Sequence, residues 1–369
     1  MAFRNDYYSL TEILKRDCVY NLIVGERSNG KTYALLKYAI EKFWKDKEQF
    51  AYLRRWKEDI RQKYMTQLFS ALIQNGEISK ITKGERTSVC YKNGRFFLCN
   101  YDEEGTPIYN DEMDCIGFTF CLSDMEHNKS VSYPRITSII FDEFMTPFAY
   151  LNDEFVTFMN CLSTIIRLRT DVKIFMLGNT ITKYCPYFDE MGIDVRQLKK
   201  GEITVYKYGD SKLKVAVEYC ALNMKARKKK ESNFYFAFNN PKLNMITEGD
   251  WELSIFPHLP FKYKPKDIVA TYFIEFADRC FQCEIINVND TFFTYIHEKT
   301  TPIKNDDEDL IYTLEYNPKI NYNRNIFKPI NEVQKRIAWF YNTDRVYYQN
   351  NDVGDCVNNY LKICKGVQR

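Results

Sequence analysis

Residues 25–32 form a complete phosphate-binding pattern, G-x-x-x-x-G-K-[ST], which constrains the fold more than any other stretch of the chain. In order, its residues are Gly25, Glu26, Arg27, Ser28, Asn29, Gly30, Lys31 and Thr32. The glycines allow the backbone to curve tightly around an anion, and the loop amides then point towards it. Lys31 adds a charge for the β- and γ-phosphates, and Thr32 offers a hydroxyl to Mg²⁺. The loop therefore predicts binding of a nucleoside triphosphate with Mg²⁺.

The sequences on both sides of this loop supply the structure that it needs. Residues 20–24 (YNLIV) are an apolar run typical of a buried strand, and residues 33–40 have helical spacing. The phosphates would then lie at a helix N-terminus, where the helix dipole favours negative charge. The alternative is an ordinary glycine-containing turn before a helix.

Strands and helices alternate along the next part of the chain, which predicts an α/β domain with a parallel sheet up to about residue 200. The run Ile136–Phe141 is β-branched and does not alternate, as expected for a central parallel strand. Further strands are predicted at 50–55, 88–99, 115–122 and 172–177, and helices at 58–73 and 153–167.

The chain of 369 residues is long enough for two domains. We predict a phosphate-loop ATPase domain over 1–200, a linker region over 201–264 and a smaller domain over 265–369. Three strand-like runs between residues 269 and 297 resemble a meander, and helices are predicted near 330–341 and 353–364.

The composition limits the possible binding sites and the cellular compartment but does not indicate a function. The net charge is only +3, so any nucleic-acid site must be a local basic patch. The 12 cysteines are scattered, and one Cys280-x-x-Cys283 pair without a second pair is more typical of structural cysteines than of zinc. We find no secretory signal and no apolar run of transmembrane length, so we expect reduced thiols in a cytoplasm and no membrane association.

Two carboxylates follow the strand that ends at Phe141. Asp142 lies where a carboxylate holds Mg²⁺ through water, and Glu143 comes next. A second carboxylate at this position polarises or orients a water for attack on the γ-phosphate. The pair favours hydrolysis over transfer to a small molecule, and the alternative is a surface Asp-Glu pair after a strand.

Two further polar residues are candidates for the same site. Asn179 follows the next buried strand, where a side chain hydrogen-bonds the attacking water or Glu143, or simply caps a turn. Arg167 ends the preceding helix as the first arginine of Arg167-Leu168-Arg169. It either complements the helix dipole or, in a ring of subunits, reaches the neighbour's γ-phosphate as a trans-acting finger.

Taken together, these motifs resemble the genome-packaging ATPases of phi-29-like small tailed phages, which are similar to the ATPase halves of terminase large subunits. The likeness rests on the phosphate loop, on residues 52–57 (YLRRWK), and on Tyr133-Pro134 followed by residues 138–144 (SIIFDEF). It covers roughly the first 200 residues. It implies an ASCE-type P-loop NTPase domain with a central parallel sheet, followed by a linker and a smaller α+β RNase-H-like domain.

The resemblance also implies roles and partners. Lys31 and Thr32 would bind ATP and Mg²⁺, Asp142 and Glu143 would be the metal and catalytic carboxylates, and Asn179 would match the polar residue after the third core strand. Arg167 and Lys129 fall where the family has basic residues that act across a subunit interface.

The implied assembly is a homomeric ring, expected to be a pentamer, on the portal of a prohead, where it moves double-stranded DNA. A structural RNA often bridges motor and portal. The setting is the host cytoplasm during assembly rather than the mature virion.

The C-terminal domain would resemble the RNase-H-like terminase nuclease without its acidic cluster. Glu275, Asp278 and Glu284 are the acids near its first strands, and two-metal nucleases need carboxylates that converge on ions about 4 Å apart. We expect a non-catalytic domain that contacts nucleic acid.

The candidate DNA contacts are Lys225, Arg227, Lys228, Lys229, Lys230 and the stretch Lys262–Lys266, all of which are equally consistent with a solvated linker.

Three rival functions stay open from the sequence. One is a ring helicase or DNA-remodelling ATPase, which would separate strands without proheads. Another is a phosphotransferase acting on a nucleoside or nucleotide, for which Glu143 would matter little. The third is a packaging terminase that retains nuclease activity.

Overall fold

Strand β1 (Tyr20–Gly25) is buried along its whole length in the computed structural model. The structure describes residues 8–27, 29–124, 131–146, 150–151, 153–180, 185–221 and 256–365. The chain divides into two units, residues 1–146 with 150–252, and residues 147–149 with 253–369. None of the helices in these described ranges is long and apolar enough to cross a bilayer.

The first unit is built around one large sheet with helices on both faces. Its other strands are β2 (Gln49–Arg54), β3 (Ser88–Lys92), β4 (Arg95–Tyr101), β5 (Pro107–Ile108), β6 (Cys115–Cys121), β7 (Ile136–Asp142), β8 (Lys173–Asn179), β9 (Ile203–Lys207) and β10 (Lys214–Tyr219). Its helices are α1 (Thr11–Leu14), α2 (Lys31–Asp46), α3 (Gln62–Met65), α4 (Ser70–Gln74), α5 (Glu77–Ile81), α6 (Glu154–Ile166) and α7 (Pro186–Glu190), with 3-10 turns at Lys57–Ile60 and Val195–Gln197.

The strand order is β3-β4-β6-β2-β7-β8-β1-β10-β9, with β5 paired to β4. The six central strands are mutually parallel, namely β6, β2, β7, β8, β1 and β10. At the two edges, β4 pairs antiparallel with β6, and β9 pairs antiparallel with β10. The predicted α/β domain with a central parallel sheet is confirmed. Because parallel strands share one carboxyl edge, the ends of β1, β2, β7 and β8 meet there.

Alternate residues of the central strands enter two separate cores. Leu22, Leu53 and Phe141 lie in the core on the α6 and α7 side, whereas Ile23 and Ile140 lie in the core under α2. Strands apolar on both faces are what a sheet covered by helices on both sides requires. This double burial fixes the strand ends that carry the site.

The structure differs from the predictions in two places. The helix predicted over 58–73 is interrupted, because Arg61 has extended backbone angles (φ −59°, ψ 147°) that end the 3-10 turn before α3 begins. The linker predicted over 201–264 contains β9 and β10, which belong to the first sheet. Residues 222–255 of that stretch lie outside the described residues.

The second unit contains the predicted meander and two helices. Its elements are β11 (Ile268–Phe276), β12 (Arg279–Val288), β13 (Thr291–Lys299), β14 (Ile311–Thr313), β15 (Tyr322–Asn323), β16 (Val346–Tyr348), α8 (Glu332–Asn342) and α9 (Asn351–Lys365), with a 3-10 turn at Pro265–Asp267. The sheet order is β15-β14-β11-β12-β13-β16, in which β11, β12 and β13 are antiparallel. The RNase-H-like assignment stays a prediction.

The acids and cysteines of this sheet are spread apart. Glu284 pairs with Thr271, four residues before Glu275 on β11, so the two carboxylates are separated by about 13 Å along the strands. Cys280 and Cys283 are three residues apart on β12 and therefore point to opposite faces. In the described ranges no group of three or more His, Cys, Asp or Glu residues could hold a metal ion.

Candidate nucleotide-binding site

The phosphate loop connects the end of β1 to the start of α2, as its sequence predicts. Gly30 is in the left-handed region (φ 91°) and caps α2, a conformation that side chains other than glycine rarely adopt. At Gly25 an added Cβ would lie 2.9 Å from the Cβ of Cys220, so only glycine fits beside β10. Ser28 lies outside the described residues.

Lys31 is buried at the first position of α2, and its ammonium lies close to the loop backbone. Nζ donates to the carbonyls of Glu26 at 2.7 Å and Gly25 at 3.2 Å, and to Oδ1 of Asn179 at 3.4 Å. Asn179 ends β8 directly beside Gly25 in the parallel register. The structure therefore brings Asn179 to the phosphate loop, as the strand-end argument predicts.

Thr32 and Asp142, the two predicted metal ligands, lie in direct contact. The Thr32 hydroxyl donates to Oδ2 of Asp142 at 3.1 Å, and the buried Tyr52 hydroxyl donates to the same oxygen at 2.9 Å. Burial, and then the nearby Asp142 carboxylate, raise the pKa of Tyr52 well above its usual value, so Tyr52 stays a donor. A hydroxyl and a carboxylate are the hard oxygen ligands that Mg²⁺ prefers, so these residues fit the ion.

Glu143 lies next to this pair in an uncommon backbone conformation, with φ at 59°. Its amide donates to Oδ1 of Asp142 at 3.1 Å, and its half-exposed side chain accepts a 2.6 Å hydrogen bond from Nη2 of Arg54. The Arg54 guanidinium also lies 3.5 Å from Asp59. Arg54, at the end of β2, therefore fixes the direction of the Glu143 carboxylate.

Arg55 supports the same segment from below the surface. Its Nε and the Oε2 of Glu154 are 2.7 Å apart, with side-chain exposures of 5% and 0%. Its other nitrogens donate to the carbonyls of Glu143 at 3.2 Å and Phe144 at 2.6 Å. The buried pair thus holds the backbone that follows Asp142.

The roles of Tyr52, Arg54 and Arg55 were not predicted. The available signal was the run Tyr52-Leu53-Arg54-Arg55, in which Arg54 ends a strand adjacent to β7 and Arg55 follows it. Charged residues at the carboxyl end of a strand next to the acidic pair were candidates by the same rule that identified Asn179.

Arg167 lies at the other edge of the sheet. It is the C-terminal cap of α6, is exposed, and donates from Nη2 to the Val131 carbonyl at 3.1 Å. Arg169 donates to the carbonyl of Ile136, the first residue of β7. Since Asp142 ends the same strand, about 20 Å separates this edge from the phosphate loop.

Several predicted residues cannot be placed. Lys129 and the basic residues Lys225, Arg227, Lys228, Lys229 and Lys230 lie outside the described residues. Lys262, Lys264 and Lys266 belong to the second unit.

Comparisons with known proteins place this chain in a family. A family model for the podovirus DNA encapsidation protein (Gp16) matches residues 3–231. The DNA packaging proteins of Bacillus phages PZA and phi29 are each 28% identical over 186 residues, 49% of this chain and 49% of the relative. The chain therefore spans about half the length of the curated relatives it matches.

Two solved structures resemble the chain over nearly its whole length. The phi-28 gp11 DNA packaging motor is 18% identical and covers 99% of this chain and 100% of its own, with a TM-score of 0.54. The phi-29 viral genome packaging motor assembly is 19% identical and covers 96% and 98%, with a TM-score of 0.55. These two likenesses concern the fold alone. The match to the family model extends over more than half of the sequence. The chain belongs to the podovirus DNA encapsidation protein (Gp16) family.

Proposed function

We propose that this chain is an ATP-hydrolysing motor subunit that moves double-stranded viral DNA into a preformed prohead. The observation that carries the proposal is the 3.1 Å hydrogen bond between Thr32 and Asp142, with Glu143 directly adjacent. This arrangement joins the phosphate loop to a carboxylate pair at one sheet edge. Membership of the DNA encapsidation family and the printed names of the phage relatives support DNA as the substrate that is moved.

Each residue has a task that its position supports. Lys31 and the loop amides bind the triphosphate, and Thr32 and Asp142 hold Mg²⁺. When bound, Mg²⁺–ATP supplies the phosphoanhydride bond and a cation that neutralises charge at the γ-phosphate. Glu143 accepts a hydrogen bond from the attacking water and orients it, while Asn179 holds Lys31.

The working unit is a homomeric ring, which we propose to be a pentamer. Arg167 lies at the sheet edge opposite the phosphate loop, and strand β7 spans about 20 Å between the two edges, so in this proposal Arg167 reaches a γ-phosphate of a neighbouring subunit. A head-to-tail interface, in which the Arg167 edge contacts the neighbour's phosphate edge, closes into a ring. Lys129, two residues before Val131, is the second trans-acting candidate.

The remaining partners follow from the same proposal. The ring binds the portal of the prohead in the host cytoplasm, with a structural RNA as a bridging component. Lys225, Arg227, Lys228, Lys229 and Lys230 are the proposed DNA contacts, because lysine and arginine bind phosphates without reading sequence.

A packaging assay tests the function. Proheads, DNA, ATP and protein are mixed, and the DNA that survives nuclease is measured. We expect protection with the wild type and none with Lys31→Ala or Glu143→Gln. Lys42→Ala, which removes a surface lysine from the same helix, is the matched control and should package normally. Protection that survives Glu143→Gln, or strand separation on forked DNA without proheads, would contradict the proposal.

A further inference from the structure

Tyr8 makes two hydrogen bonds that connect the phosphate loop to strand β10. Its backbone N–H donates to the carbonyl of Asn29 at 3.0 Å, and its hydroxyl donates to Oε2 of Glu218 at 2.6 Å. Asn29 is a loop residue, and Glu218 lies on β10 opposite Ile23 of β1. One residue from the start of the chain thus contacts two separate elements of the site.

The bond to Asn29 determines how the following peptide is oriented. In a trans peptide the C=O and the N–H point in opposite directions, and no cis peptide occurs in the described ranges. Because the Asn29 carbonyl points to Tyr8, the N–H of Gly30 in the same peptide points away from Tyr8. Inward amides are what a phosphate-binding loop uses to hold an anion.

Other contacts make Asn29 a fixed point of the loop. Its Oδ1 accepts from the backbone N–H of Lys31 at 3.3 Å, and its side chain is buried. Gly30 then adopts its left-handed conformation between these two bonded residues. A change in the Asn29 carbonyl would therefore rotate the amide that precedes α2.

The carboxylate that accepts from the Tyr8 hydroxyl belongs to a strand that pairs with β1. Burial raises the pKa of Glu218, and burial followed by the Glu218 charge raises the pKa of Tyr8. The amide of Cys220, two residues further on, donates to Val24 at 2.8 Å. β10 and the residue after it therefore contact the end of β1 directly, and β10 contacts the later part of the loop through Tyr8.

We propose that Tyr8 is a positioning residue for nucleotide binding, since its bond to Glu218 holds the Asn29–Gly30 peptide with the Gly30 amide facing the phosphates. The inference rests on the proposed nucleotide binding. It assigns a role to a residue outside the phosphate-loop pattern. The ligand is the triphosphate group of the nucleotide.

Calorimetric titration with Mg²⁺–ATPγS tests this role in the full chain. Tyr8→Phe keeps the ring and the backbone amide but removes the hydroxyl, and we expect the Kd to rise about tenfold. In steady-state assays the KM for ATP should rise by a similar factor while kcat stays within about twofold. Tyr20→Phe is the matched control, because its hydroxyl donates to the sulfur of Met159, 3.7 Å away, rather than to a residue of the phosphate loop or β10, and its Kd should be unchanged.

A double-mutant cycle shows whether the hydrogen bond is the cause. Glu218→Met keeps the side-chain length but removes the acceptor, and it should weaken binding as Tyr8→Phe does. The double variant should bind no more weakly than either single variant. Normal affinity in Tyr8→Phe, equal weakening in Tyr20→Phe, or additive losses in the double variant would overturn the inference. Absence of ATPγS binding by the wild type would instead contradict the proposed function.

Discussion

The guanidinium of Arg54 holds the carboxylate of Glu143, with Nη2 2.6 Å from Oε2. The two residues are 89 positions apart in sequence and lie at the ends of the neighbouring strands β2 and β7. The position of Glu143 relative to the phosphate loop is therefore set by a side chain from another strand.

Glu143→Gln should abolish most hydrolysis while leaving nucleotide binding intact. The amide keeps the size of the side chain but accepts a proton poorly, and general-base catalysis typically contributes a factor of about 10² to 10⁴. We expect kcat to fall by that factor and the Kd for Mg²⁺–ATP to stay the same. A kcat within twofold of the wild type would favour a phosphotransferase.

Arg54→Ala should lower kcat about tenfold with little change in KM, because the carboxylate would lose its fixed direction. Arg61→Ala removes an exposed arginine from the same segment and serves as the control in assays without DNA. In the Glu143→Gln background, Arg54→Ala should cause no further loss, since both act through one carboxylate. Independent, additive losses would show that Arg54 acts elsewhere.

Removing one partner of the buried Arg55–Glu154 pair should be strongly destabilising. Arg55→Met leaves the Glu154 carboxylate buried without its charge partner, which costs about 3–5 kcal/mol of unfolding free energy. The double variant Arg55→Met with Glu154→Leu should recover part of this loss, because no buried charge remains. Both are measured by denaturant unfolding.

An exposed ion pair gives the comparison for that experiment. Lys15 and Glu12 are 2.7 Å apart but more than 60% exposed, so Lys15→Met should cost less than about 1 kcal/mol. Equal losses of unfolding free energy in Arg55→Met and Lys15→Met would contradict the role of the Arg55–Glu154 pair in holding the backbone after Asp142.

The second unit should lose stability as the pH rises through neutrality. His297 lies 3.4 Å from Glu284, and this hydrogen bond raises the pKa of His297 above its ordinary 6.5. The folded state therefore binds more protons, so the contribution is fully present below about pH 6.5 and is lost as the pH passes the folded-state pKa.

Calorimetric unfolding of the full chain measures this effect. The stability difference between wild type and His297→Gln should shrink from about pH 6 to pH 8. His258→Gln is the control, because His258 contacts the Asn351 amide oxygen rather than a carboxylate. A difference that does not change with pH would rule out the His297–Glu284 contribution.

Local patterns predicted the elements that form the candidate nucleotide-binding site. The loop, the buried strands and the acidic pair are each contained within a short stretch, so spacing alone located Lys31, Thr32 and Asp142. Asn179 followed from the rule that polar residues at parallel strand ends converge.

Contacts between distant segments were not predictable in this way. The roles of Arg54 and Arg55 depend on their hydrogen bonds to Glu143 and Glu154, which lie 89 and 99 positions further along the chain. The stretch between β9 and β10 contains Gly209 and several charged residues, including Lys207 and Lys214 at the adjoining strand ends, so the local sequence favoured a linker. Pairing of β10 with β1 stabilises it as a strand, an effect that local propensity does not contain.

The most direct test of the shared site mixes two inactive variants. Lys31→Ala subunits cannot bind nucleotide but keep Arg167, whereas Arg167→Ala subunits keep the phosphate loop but lack the finger. In equal mixtures assembled on proheads, ATP hydrolysis should return to about a quarter of the wild-type rate, because half of the sites are intact and half of their neighbours carry Arg167. A mixture as inactive as each variant alone would contradict a site completed by the neighbouring subunit.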